Sequence, residues 1–178
     1  MNARTPRLGE SLSAHGIVTR DQVETILARQ RTDSRPFGVL CEEMFDVDPS
    51  FIEAAWVDQY KRLVCHLEAN FAEADREALA LVTRRQAWQF RMVPVRFDDG
   101  VLVAATTSEQ LPRATRFASA VLARPVLFII IDAEELAGAL EAHYPIGGLD
   151  ARHVRGGVRT KEALAEAALG ERRGFLDS

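Results

Sequence analysis

His15, His66, His143 and His153, the two cysteines Cys41 and Cys65, and the arginines are the side chains of this 178-residue chain with the most chemistry to offer. The histidines lie scattered, without the short spacings that gather metal ligands. Cys65 and His66 are adjacent, so on a helix they point to different faces, and neither a zinc site nor an activated thiol is expected. No G-x-x-x-x-G-K-[ST] stretch is present to cradle a nucleotide phosphate. Serine, histidine and aspartate occur without the strand–turn–helix setting of a nucleophile elbow. The chain reads as non-catalytic. A net charge of −4 with no dense basic block in the part expected to be ordered disfavours a nucleic-acid polymer as partner. What remains is a small anionic ligand held by one or two arginines.

The elements that would carry such a site are legible in the apolar pattern. At 47% apolar and 27% charged residues, the chain suits one or two domains that bury roughly 70% of their unfolded surface without disulfides or a structural metal. Both cysteines sit inside apolar helical patterns and are expected as small buried side chains in a reducing compartment. The opening residues lack the apolar stretch of a signal peptide, and the longest apolar run, Val126 to Ile131, is far too short to cross a bilayer. A cytoplasmic protein with no direct membrane insertion is the expectation.

Residues 7–30 are followed by a second segment of equal length, 36–59, displaced by 29 positions. Identities fall at Gly9/Gly38, Val18/Val47, Glu24/Glu53 and Gln30/Gln59, and apolar pairs at Leu8/Phe37, Leu12/Cys41, Val23/Ile52 and Leu27/Trp56. Each copy predicts a helical hairpin. In the first, a short helix ends at Gly16, and Thr19 with Gln22 forms a capping box for a helix whose stripe is Val23, Ile26, Leu27 and Gln30. In the second, Asp48 is an N-cap with Pro49 at the first helical position. Its stripe is expected to run Ile52, Trp56, Tyr60, Leu63 and Leu67.

This doubled pattern, R-L-G-x-x-L-x-x-x-G-(apolar)-(apolar)-x-x-x-x-(apolar)-x-x-x-L-x-x-Q, resembles the cyclic-di-GMP-binding N-terminal domain of the MshE-type ATPases of type II secretion and type IV pili. The first copy fits at Arg7, Leu8, Gly9, Leu12, Gly16, Ile17, Val18, Val23, Leu27 and Gln30. The second keeps Gly38, Val47, Ile52, Trp56 and Gln59, but Pro36 replaces the arginine, Phe37 and Cys41 replace leucines, and Phe45 stands at the second glycine. The resemblance implies two half-sites for a ligand with twofold symmetry. Arg7 would stack on or pair with a guanine, Gly9 would admit the ligand close to backbone, and Gln30 would offer donor and acceptor to a base edge. Leu8, Leu12, Gly16, Ile17 and Leu27 complete the implied first half-site, with Gly38 and Gln59 from the second. Pro36 has neither a cation nor a backbone N–H, so the loss of one stacked, charged contact would cost about 1.5–3 kcal/mol of affinity. Arg35 is one residue early and is pushed toward extended geometry by the proline after it.

From Thr83 the period changes. Thr83 and Gln86 form a capping box for a short helix. Val93, Val95 and Phe97 alternate as an edge strand marked by Pro94, and Asp98–Asp99–Gly100 form a hairpin turn into Val101–Ala105. Pro112 opens a helix with Ala114, Phe117, Ala118 and Val121 inward. The strand Val126–Ile131 follows, and then a helix from Asp132 to His143 and Tyr144. The "VPV…DDGVLVA" hairpin and the "HY" ending also resemble the MshE-type family, which extends the resemblance to about residues 7–144, with Thr106–Glu109 in place of the family's acidic-proline turn.

The expected fold is α+β, a helical-hairpin repeat (1–67) followed by a small α/β subdomain with about three strands (68–145). Glycines and arginines beyond Pro145 suggest a flexible tail (146–178) carrying a short helix, Lys161–Leu169. Two functions fit: a regulatory module responding to cyclic-di-GMP, or a docking adaptor for a secretion, pilus or polysaccharide assembly protein that has lost the nucleotide. No cofactor is expected in either.

Overall fold

The computed structural model describes residues 6–155, and the chain divides into two compact units, Met1–Cys65 and His66–Ser178. Among the described residues the fold is mixed: helices come first, and the three strands all follow residue 90, the class and order that the change of apolar period predicts. The helix expected at Lys161–Leu169 lies outside the described residues.

The first unit is built from α1 (Leu8–Ala14), α2 (Arg20–Gln30), α3 (Phe37–Phe45) and α4 (Pro49–Val64). Its helix ends follow the sequence signals closely. Gly16 adopts φ +71, and the hydrogen bonds Gly16 N–H to Ser13 O and Ile17 N–H to Leu12 O close α1 as a Schellman motif. The Thr19 hydroxyl accepts from Gln22 N–H while the Gln22 side chain accepts from Thr19 N–H, and Asp48 accepts from Ser50 N–H ahead of Pro49. α1 packs on α4 and α2 on α3. The core between them is Leu12, Val18, Ile26, Leu40, Cys41, Val47, Ile52 and Ala55, flanked by Leu8, Ile17, Val23, Phe37 and Phe45.

Three expectations for this unit are corrected. The buried line of α4 runs through Ile52, Ala55 and Val64, while Leu63 is 53% exposed. Trp56 and Tyr60 sit half-buried with ring centroids 5.7 Å apart, and Leu67 follows the end of the helix. A small alanine fills the core position, and its larger neighbour is left at the rim. Leu27 likewise points outward, because Ile26 takes the buried place in α2. Cys41 is buried as expected, but Cys65 is exposed, its Sγ near the Arg62 carbonyl where α4 ends.

The second unit opens with a single 3-10 turn at Phe71–Glu73, α5 (Arg76–Leu79) and α6 (Arg84–Phe90), the last held by the Thr83–Gln86 capping box. The sheet has the order β1 (Met92–Asp98), β2 (Val101–Thr106), β3 (Val126–Ile130). β1 and β2 form a hairpin whose turn residues Asp99 and Gly100 have φ +48 and +80, the left-handed pair such a tight turn needs. Pro94 lies on β1, an edge strand, just before a bulge, where its missing N–H costs no ladder bond. β2 and β3 run parallel, joined by α7 (Leu111–Phe117) and a π turn at Ala118–Leu122. α8 (Ala133–His143) starts with Asp132 accepting from the N–H groups of Glu134 and Glu135.

Two readings change here. Val121, expected inward, is 55% exposed, because the helix widens to a π turn at Ala118 and the four-residue spacing from Phe117 no longer returns to the same face. The stretch after Pro145 is packed as far as it is described. Leu149 and Val154 are buried, α9 (Ala151–Arg155) lies on α8, and the Arg91 guanidinium donates to the His153 carbonyl at 2.9 Å. Composition read these residues as linker because glycines and arginines surround only two apolar anchors.

Candidate functional site

The two copies of the repeat build the same local structure twice. Arg7 and Pro36 are the N-cap residues of α1 and α3, both extended, and each offers its carbonyl to the N–H four residues on, Ser11 and Leu40. Thr19 and Asp48 occupy the matching caps of α2 and α4. The shared glycines work alike: a Cβ on Gly9 would stand 3.0 Å from Val23 Cγ1, and one on Gly38 would stand 2.7 Å from Ile52 Cγ2. These are the same pair of positions in each copy, a glycine against the β-branched residue 14 places later. The glycine lets helix approach helix. Gly9 is also within 2.9 Å, by the same measure, of the Phe37 ring tip, so the starts of α1 and α3 adjoin.

The polar groups of the two copies differ. Arg7 is exposed, and its side chain makes no ion pair among the described residues. Its backbone N–H is held by Glu10 at 2.8 Å. In the second copy both members of that pair are gone, since Pro36 has no N–H and Val39 replaces the acceptor. Nothing polar is left unsatisfied by the exchange. Gln30 is half-buried and donates from Nε2 to the Arg35 carbonyl at 3.0 Å, which ties the end of α2 to the loop before Pro36.

Arg35 is fully engaged. Its Nε and Nη2 donate to the Asp33 carboxylate at 2.7–3.0 Å, and its Nη1 donates to Glu43. The guanidinium hydrogen bonds hold the Asp33 carboxyl down at about 2, and Asp33 and then Glu43 raise the arginine in turn. The guanidinium nearest the missing arginine therefore has its donors turned toward carboxylates of its own chain. Sequence reasoning did not find Asp33 and Glu43. Asp33 lies two residues from Arg35 and was legible as a turn partner. Glu43 is eight residues away on α3, and only the folded hairpin brings it close.

The remaining named residues fall into two groups. Leu12 is fully buried, and Leu8 and Ile17 pack against the same core, so they support the site from beneath. Gly16 is exposed in its turn, Leu27 is exposed on α2, and Gln59 is half-buried on α4. Gly9 and Gly38 are filled from their own chain, as described. Of the named first-copy side chains, Arg7 and Leu27 are exposed, and Gln30 Nε2 donates to the Arg35 carbonyl. Among the described residues no group of histidine, cysteine or carboxylate side chains could hold a metal ion, and no helix is long and apolar enough to cross a membrane.

In the second unit the buried polar groups are occupied by structure. Trp88 Nε1 donates to the Tyr144 carbonyl and the Tyr144 hydroxyl to the Leu79 carbonyl, each at 2.7 Å. Burial pushes the Tyr144 phenol up and the Arg91 guanidinium down. Arg91 ends α6 in the left-handed region at φ +49, and its carbonyl accepts from the Thr106 hydroxyl at 2.7 Å.

The MshEN domain family model matches residues 63–148, from the end of α4 through the sheet to the turn after α8. The repeat at 7–59 precedes the matched segment. The search of curated proteins found no match. A solved structure described as "Structure of MshE with cdg" is similar at 19% identity and a TM-score of 0.41, covering 78% of this chain and 99% of that one. The hairpin, parallel crossover and closing helix of the second unit occupy the residues that match the MshEN domain family model.

Proposed function

We propose that this chain is a non-catalytic regulatory module in which the first repeat copy takes one end of cyclic-di-GMP and the second copy contributes packing. The observation that carries the reading is the contrast between Arg7 and Arg35, the residue just before the matching position in the second copy. Among the described residues the exposed Arg7 guanidinium has no ion pair, whereas Arg35 is closed onto Asp33 and Glu43. A planar guanidinium suits stacking on a guanine and pairing with phosphate. The repeat pattern of residues 7–59 supplies the ligand's identity through its resemblance, and the MshEN match directly after it is consistent with that placement.

Calorimetry with cyclic-di-GMP tests this. Weak binding is expected, lost in Arg7→Ala. Restoring both members of the capping pair, Pro36→Arg with Val39→Glu, should strengthen it about tenfold or more, the worth of one charge-assisted contact. Phe45 is left alone in that repair: it is helical and packs on the core, and the left-handed residue of the second copy is Asp46 at φ +52. An affinity unchanged in Arg7→Ala would overturn the reading.

One observation favours a second reading, an adaptor for a secretion, pilus or polysaccharide assembly protein. Where the first copy shows a charged pair, the second shows Pro36 and Val39, both exposed, an apolar spot suited to protein contact. No binding of nucleotide before or after repair would favour it.

A further inference from the structure

The unequal half-sites have a consequence for stoichiometry, which rests on the cyclic-di-GMP reading above. Cyclic-di-GMP has two like ends, each a guanine with its phosphate, related by a twofold axis. The first copy can answer one end, through Arg7. The end turned toward the second copy meets Pro36 and Val39, and next to them Asp33, Arg35 and Glu43, with Arg29 also on Asp33 at 3.5 Å. The cations there already face carboxylates of the chain. The guanidinium in that cluster is held by both carboxylates, and a ligand would have to break charge-assisted bonds to recruit it. The group that matches the ligand's second end is another Arg7, and each chain has one.

We propose that cyclic-di-GMP bridges two copies of this chain, with the Arg7 face of one on each end of the ligand, so that the complete site exists only in the ligand-bound pair. The twofold axis of the ligand then coincides with that of the dimer, the commonest symmetry for paired identical chains. Arg7 is suited to this role by its exposure and its lack of an ion pair among the described residues. Its cap does not depend on the side chain, because the bond to Glu10 comes from the backbone N–H. Bridging also predicts its own reversal: when ligand exceeds protein, each Arg7 takes a separate molecule and the pairs come apart.

Sedimentation velocity of the full chain, at fixed protein and rising cyclic-di-GMP, reads this directly. The expected result is monomer without ligand, dimer near half an equivalent, and return toward monomer at large excess. Guanosine monophosphate, with one base and one phosphate, should bind without dimer. Arg7→Ala should abolish the dimer, and Pro36→Arg with Val39→Glu should shift binding toward one ligand per monomer. Saturable one-to-one binding by a chain that stays monomeric at every ratio overturns the bridging proposal and leaves the ligand reading intact. A dimer that forms equally in Arg7→Ala, or without ligand, overturns it as well. Absence of binding to both the unaltered and the repaired chain overturns the ligand reading and the bridge with it.

Discussion

Glycines that match between the copies at residue scale do different work from the one that does not. Gly9 and Gly38 are close-approach positions, and Gly16 is a conformational one with nothing near its missing Cβ. Gly9→Ala should therefore destabilise through crowding of Phe37 and Val23, by about 1–3 kcal/mol. Gly16→Ala should cost about 1–2 kcal/mol through the left-handed backbone, and Gly16→Asn should recover much of it. Urea unfolding of the three variants checks this, and equal losses in Gly16→Ala and Gly16→Asn would show that conformation is not the cause. Asp33 makes a second residue-scale prediction. Its folded pKa, about 2, lies below the ordinary 3.8, so the stability it contributes is present above about pH 4 and lost as pH falls toward 2. Asp33→Asn should flatten that part of the acid loss. A decline from Asp150, held down to about 2 by Arg152, should remain.

Among the elements, α9 departs most from its sequence appearance. Five residues cannot form a stable helix alone, and α9 persists because Val154 and the preceding Leu149 are buried and Arg91 holds the His153 carbonyl. A chain ended after Pro145 should lose these two side chains' burial, about 3–6 kcal/mol at roughly 1.5–3 each, while one ended after Arg155 should keep it. Thermal unfolding followed at Trp88 compares the two, and identical midpoints would show that α9 contributes nothing. Partner searches that delete the tail should accordingly begin after Arg155. The π turn at Ala118–Leu122 and the bulge in β1 have the same kind of origin: local geometry yields where packing demands a change of phase.

At the scale of the molecule, each unit has its own core and its own tryptophan, Trp56 in the first and Trp88 in the second. Residues 66–155 expressed alone should unfold cooperatively, reported by Trp88, whose side chain is 1% exposed and bonded to Tyr144 O. A gradual, uncooperative transition would show that this core is insufficient by itself.

Sequence alone determined the helix caps, the Schellman glycine, the hairpin turn, the edge proline and the order of helices and strands, because each depends on the φ preference or hydrogen-bonding capacity of residues a few positions apart. It also carried the repeat and the absence of a phosphate loop. Tertiary structure decided which face of each helix is buried. Ala55 rather than Trp56, and Ile26 rather than Leu27, take the core, since packing selects for fit between helices and a periodic pattern records only polarity. It decided equally that Arg35 is spent on Asp33 and Glu43, while Arg7 has no ion pair among the described residues. An ion pair across a hairpin is set by where the folded chain returns, and that distance is written in no local stretch of residues.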